Sequence, residues 1–120
     1  MNYYYNDIRH VKGDTKSIGL VLEDLEGQVQ ELDTALFTCR DNLNENDSVV
    51  LFQKKLWNGI DIVERDTDKI AYSVRIAPSD TKNLESGTYF YDLEIGINGD
   101  IFTVMKGRFV LEQDCSRGEV

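Results

Sequence analysis

The sequence predicts an all-β domain, a sandwich of seven or eight short antiparallel strands. Three observations predict it. Apolar residues alternate with polar ones in several separate segments, turn-forming residues stand between those segments, and no stretch keeps 3.6-residue apolar spacing over the length of an ordinary helix. Helices are therefore expected only as single turns.

In chain order, residues 3–11 form an opening strand that ends at Lys12-Gly13-Asp14. Ile18, Leu20 and Leu22 then fall on one face of a strand, as do Ala35, Phe37 and Cys39 in the next. Residues 49–53 and 59–63 are shorter candidates joined through Lys54-Lys55-Leu56-Trp57-Asn58. Ile70, Tyr72, Val74 and Ile76 alternate with Ala71, Ser73 and Arg75. The strongest signal follows: Tyr89, Tyr91, Leu93, Ile95 and Ile97 share one face, with Asp92, Glu94 and Gly96 on the other. Asn98-Gly99 suits the positive backbone angles of a two-residue hairpin, and residues 101–111 return as the partner strand. That returning strand changes phase between Phe102 and Val104 on one side and Phe109 and Leu111 on the other. A bulge at Gly107 would reconcile the two.

The segment from Pro78 to Tyr91 narrows the class. Asp80 is placed to cap a single helical turn, Leu84 to plug the end of the core, and Gly87 to take a backbone conformation closed to other residues. The chain then enters a strand at Tyr89. This is the pattern of the tyrosine corner of immunoglobulin-like sandwiches, in which a Tyr hydroxyl bonds to backbone just upstream. An antibody domain would carry a cysteine two residues later, where this chain has Tyr91. The class is thus an immunoglobulin-like β-sandwich outside the antibody domains proper.

A chain of 120 residues suffices for one domain, here residues 1–112 with a polar tail at 113–120, and such a domain hides roughly two thirds of its extended surface. The net charge of −9 argues against nucleic acid as a partner. No apolar stretch reaches the roughly eighteen residues that span a bilayer, and the N-terminus lacks the basic and apolar regions of a secretion signal, so no membrane association and a cytosolic site of synthesis are expected. In that reducing setting Cys39 and Cys115 are expected as free thiols.

Few residues carry chemistry. His10 is the single histidine and is expected at the surface; Cys39 lies in a core phase, and Cys115 in the polar tail. Asn42, Asn44 and Asn46 imitate the alternating ligands of a calcium loop, but Asp47 and Gln53 stand where its glycine and closing glutamate belong. Asp66 and Asp68 read as a solvated acidic turn. No catalytic, cofactor-binding or metal-binding set is expected, and the chain is read as a non-enzyme. The candidate interface residues are Tyr3, Tyr4, Tyr5 and Trp57, because Tyr and Trp bring large apolar area at little entropic cost. An edge strand lying over the core is the alternative for the tyrosines, and a cap on the end of the sandwich is the alternative for Trp57.

The run Ile8-Arg9-His10-Val11-Lys12-Gly13-Asp14-Thr15, the later Leu32-Asp33-Thr34-Ala35, and the hairpin Gly87-Thr88-Tyr89-Phe90-Tyr91-Asp92-Leu93 with Gly99-Asp100-Ile101-Phe102-Thr103-Val104 resemble the N-terminal domain of phage baseplate upper proteins. The resemblance covers nearly the whole chain and marks no active site. It implies an immunoglobulin-like structural or adaptor module of a phage or prophage tail or baseplate, a virion component that attaches fibre or receptor-binding proteins to other tail or baseplate proteins. Self-association through strand edges would be consistent with it. The competing expectation is a carbohydrate- or cell-surface-binding module built on Trp57 and the spare tyrosines.

Overall fold

The structure, a computed structural model, describes residues 4–24, 29–44, 46 and 48–113. Nine strands and one helical turn follow in order: β1 Tyr4–Tyr5, β2 Ile8–Val11, β3 Lys16–Glu23, β4 Thr34–Arg40, β5 Val50–Leu56, β6 Gly59–Arg65, β7 Lys69–Ile76, α1 Pro78–Thr81, β8 Gly87–Ile97 and β9 Asp100–Glu112. They form one hydrogen-bonded path, β1/β2-β9-β8-β4-β5-β6-β7-β3, which divides at the two-residue β5–β6 contact into a larger layer, β1/β2-β9-β8-β4-β5, and a smaller one, β6-β7-β3. This is the immunoglobulin-like arrangement the sequence predicts.

The layers are joined at one tight corner. There Lys55 and Leu56 of β5 meet Gly59 and Ile60 of β6, and the Trp57 N–H donates to the Ile60 carbonyl at 2.7 Å. Gly59 (φ 101°) supplies the reversal, and Trp57 is itself held at φ 69°, a region few non-glycine residues visit.

Most of the predicted inward residues form the observed core, with Leu20, Leu22, Tyr89 and Ile97 half-buried against it. Ile18, Ala35, Phe37, Cys39, Ile70, Tyr72, Val74, Ile76, Tyr91, Leu93 and Ile95 are all buried, joined by Ile60, Phe109 and Leu111. An aromatic row runs through it: Phe37 stacks on Tyr91 (5.3 Å between ring centres) and on Phe52 (6.2 Å), and Phe52 meets Phe109 edge-on at 5.9 Å. Phe52 and Phe109 belong to strands separated by β4 and β8, so the larger sheet curls around its own aromatic side chains.

The corner before β8 forms as its residues dictate. The Tyr89 hydroxyl donates to the Glu85 carbonyl at 2.6 Å, and Leu84 packs half-buried on the core. Asp80 acts one turn inside the position expected of it. Ala77 is the residue before the helix, and the Asp80 carboxylate accepts from the Ala77 N–H at 2.7 Å while pairing with Lys54 at 2.7 Å. The hairpin closes through Asn98 (φ 54°) and Gly99 (φ 83°), the two positive angles its turn type demands.

Three expectations are corrected. The opening strand runs parallel to β9, not antiparallel, with Tyr4 opposite Met105 and Ile8 opposite Phe109. Nearly the whole chain lies between those partners, so no hairpin fixes their relative direction. The bulge in β9 falls at Val104, because Leu93 faces Met105 while Glu94 faces Thr103. Gly107 instead makes room for the opening strand, since a Cβ there would run into the Asn6 carbonyl. His10 is 3% exposed and packs on the Phe109 ring at 5.6 Å, since β2 turns its even-numbered residues inward along with Ile8. The strands expected at 49–53 and 59–63 extend to Leu56 and Arg65.

Candidate functional site

Every strand of the larger sheet turns one side to the core and the other outward, and the outward side gathers the candidate contact residues. Cross-strand register builds it in rows. Tyr5, Lys106, Asp92, Thr38 and Gln53 lie side by side, followed by Arg108, Phe90, Arg40 and Val50. On the other flank lie Thr103, Glu94, Leu36 and Lys55, then Ile101, Gly96 and Thr34.

Two shallow hollows open on this face. One is bordered by Tyr5, Thr38, Arg40, Leu43, Phe90 and Arg108, the other by Leu36, Leu56, Trp57, Glu94 and Ile101. Thr38 and Leu36 are two residues apart on β4, as are Asp92 and Glu94 on β8, so the hollows are neighbours on one surface. Tyr5 is 63% exposed and Trp57 61%, with Ile101 at 63% and Leu43 at 78%. Five cations (Arg9, Arg40, Lys55, Lys106, Arg108) stand here against five anions (Asp7, Asp33, Asp92, Glu94, Glu112), in a chain of net charge −9. The negative excess therefore lies elsewhere on the protein, and long-range repulsion at this face is weak.

The opening strand supplies one border, and its attachment is specific. The Tyr91 hydroxyl donates to the Asn6 carbonyl at 2.5 Å, in the gap that Gly107 leaves open. The Arg108 guanidinium bonds Asp7 at 2.6 and 3.2 Å, and the Arg108 N–H bonds the same carboxylate. These bonds hold the Asp7 carboxyl below its ordinary range. The Asn6 N–H donates to the Lys106 carbonyl at 2.9 Å, continuing the parallel ladder between β1 and β2.

The structure thus unites two of the four candidate contact residues, Tyr5 and Trp57, on one face. Trp57 does not cap the sandwich; it stands outside the corner it forms. Tyr4 contributes its backbone to β1, and Tyr3 and Cys115 lie outside the described residues. Leu36, Phe90 and Ile101 went unnoticed in the sequence. The available signal was their phase: Leu36 and Phe90 are apolar residues at positions where the alternation calls for polar ones.

The residues considered for chemistry are placed apart. The Cys39 thiol is fully buried, and desolvation pushes its pKa up to about 12. His10 Nε2 is buried without a hydrogen-bond partner among the described residues, and the imidazole is shifted below its ordinary range by burial first and the Lys16 charge second. The asparagines of the 41–48 loop are engaged in local turns: Asn42 Oδ1 accepts from the Asn44 N–H, Asn44 Oδ1 from the Asn46 N–H, and Asp41 Oδ1 from the Val49 N–H. Asp66 and Asp68 are exposed in the β6–β7 turn. Among the described residues no three His, Cys, Asp or Glu side chains gather as metal ligands, and no helix is long and apolar enough to cross a membrane.

No protein-family model and no curated protein matches the chain. Among solved structures it is similar to a family 123 glycoside hydrolase from Clostridium perfringens, studied for glycolipid glycan hydrolysis, with 13% identity and a TM-score of 0.55. That match covers 95% of this chain and 24% of the hydrolase, so the chain spans about a quarter of its length, and the likeness is one of fold. More distant likenesses are a voltage-gated sodium channel beta subunit examined for cell-adhesive interactions (14% identity, TM-score 0.36, 92% of each chain) and the beta4 subunit extracellular domain that forms parallel homodimers (13%, TM-score 0.39, 97% of this chain and 92% of that one).

Proposed function

We propose that the chain is a non-catalytic attachment module of a phage or prophage tail or baseplate, which holds a fibre or receptor-binding protein against the outer face of its larger sheet. The observation that carries the attachment role is the gathering of Tyr5, Phe90, Leu36, Trp57 and Ile101 on one nearly charge-balanced surface of an acidic protein. Large aromatics flanked by mixed charges are the composition of protein interfaces. Trp57 adds a second mark, a bulky side chain held at positive φ and left outside the core. The assignment to a tail or baseplate rests on the resemblance carried by the Gly13-Asp14-Thr15 turn and the residue 87–104 hairpin.

The test is mass spectrometry of purified particles from a strain that carries the gene. The protein is expected among the tail components, and Trp57→Ala with Ile101→Lys is expected to remove it from particles without lowering its level in the lysate. Particles that lack the wild-type protein would refute the tail assignment.

A second reading draws on the hollow beside Trp57, whose polar rim is Lys55, Glu94 and Asp33. An exposed indole above such a rim also suits a sugar ring. Binding on a glycan array that disappears with Trp57→Ala would support it, and a blank array would remove it.

A further inference from the structure

The free edges of the two sheets are not equally guarded. The β5 edge is broken by an extra residue, Leu51, between the pairs Cys39–Phe52 and Arg40–Val50, and carries Lys54 and Lys55. The β6 edge is broken at Val63 and carries Asp61, Glu64 and Arg65. The opening strand is interrupted at residues 6–7 and carries Asp7 and Arg9. Bulges, interruptions and charges are the usual means of keeping an edge from pairing with another chain. Strand β3 has none of them along its middle. It pairs with β7 through eight residues in unbroken register, ends the strand order on its other side, and reads Ile18-Gly19-Leu20-Val21-Leu22 between Lys16 and Glu23.

Among the described residues no strand pairs with that edge, and the hydrogen-bonding groups it presents can be named. The Asp24 N–H donates to the carbonyl of Asp68, its partner in the β3–β7 register, at 2.9 Å. Neighbouring residues in a strand alternate in direction, so even-numbered residues bond to β7, while Ser17, Gly19, Val21 and Glu23 point their N–H and C=O groups outward.

We infer that β3 pairs antiparallel with β3 of a second copy of this chain, across a twofold axis at Leu20 that runs through the sheet, making one continuous six-stranded sheet. The strand is complementary to itself in this register. Lys16 falls opposite Asp24, Ser17 opposite Glu23, Ile18 opposite Leu22, Gly19 opposite Val21, and Leu20 opposite itself. Opposite residues in an antiparallel pair share a face, so the apolar even-numbered residues of both copies line one continuous core side. Gly19, beside which a Cβ would meet nothing within 4 Å, leaves room for Val21 of the second copy. Shifting the axis to Gly19 would set Lys16 against Leu22 and lose the charge pairs. The net charge of −9 on each copy opposes association, so salt strengthens it.

The experiment uses the full chain with Cys115→Ser. Leu20→Cys places the two thiols in a non-hydrogen-bonded pair, with Cα atoms about 4.5 Å apart and within reach of a disulfide. Mild oxidation is expected to give a covalent dimer from Leu20→Cys and none from Thr103→Cys on the larger sheet. Sedimentation equilibrium should show a reversible dimer that tightens with salt. Gly19→Pro removes an outward N–H that no strand of its own sheet uses, and it should weaken the dimer by about tenfold or more with the monomer still folded. A chain that stays monomeric at millimolar concentration, or one that crosslinks through Thr103→Cys instead, overturns the inference. The crosslinking arms decide the matter even if Gly19→Pro fails to fold. They also separate this pairing from the proposed docking face, which neither outcome at β3 touches.

Discussion

Strand β9 is paired on both sides, and its two neighbours are held there by opposite means. Strand β8 reaches it through Asn98-Gly99, and their register is set within a few residues of the turn. The opening strand reaches it from the far end of the sequence and is held by a few long-range bonds: the Tyr91 hydroxyl on the Asn6 carbonyl, the Asp7–Arg108 pair, and the space left by Gly107. A hairpin is specified by local pattern, whereas a parallel strand is specified by what its distant partner leaves open. The exposed Tyr5 border of the proposed docking face depends on the second kind.

The comparison yields graded expectations. Leu93→Ala, in the hairpin and wholly buried, should cost about 2–5 kcal/mol and lower the urea midpoint of the entire domain, because it opens a cavity in the shared core. Gly107→Ala should cost less, about 1–3 kcal/mol, and its damage should be local. Hydrogen exchange is expected to speed up at Asn6 and Lys12, whose N–H groups bond β9, while β8 keeps its protection. Equal loss of protection in β8 would show that the opening strand and hairpin unfold as one unit. Tyr91→Phe removes only a hydroxyl and should cost about 1 kcal/mol, with its ring still stacked on Phe37.

The smallest effect concerns His10, the buried histidine of the opening strand. Burial holds its folded pKa below the ordinary 6.5, with the Lys16 charge adding to the shift and Asp14 opposing it. As pH falls through 6.5 the unfolded chain takes up the proton first, so stability is full above that value and declines below it until the folded imidazole also protonates. His10→Phe should remove this part of the pH dependence, seen as a flatter plot of melting temperature against pH on the acid side. An unchanged slope would place the dependence on other groups.

The same contrast explains what the sequence made legible. Tyr89, Asn98-Gly99 and the alternating residues of β7 and β8 act on neighbours a few positions away, and each was readable because its partner lay in the same window. Gly107 was misread because the phase change in β9 called for one extra residue, and glycine is the ordinary choice for it. The extra residue is Val104, and the glycine answers to Asn6, about a hundred positions upstream. His10 was misread for a related reason: a polar residue in a tyrosine-rich segment suggests the surface, and only the pairing of β2 with β9 turns it inward. The proposed docking face was half legible. Tyr5 and Trp57 stood out by type, but their meeting with Leu36, Phe90 and Ile101 depends on cross-strand register.

The proposal that the outer face of the larger sheet is the docking surface is tested most directly by photo-crosslinking in producing cells. A photoreactive residue would be placed in turn at Trp57, at Thr103 and, on the smaller sheet, at Val63. Adducts to a second, distinct protein from Trp57 and Thr103 but not from Val63 are the expected result. Adducts from Val63 alone would contradict it.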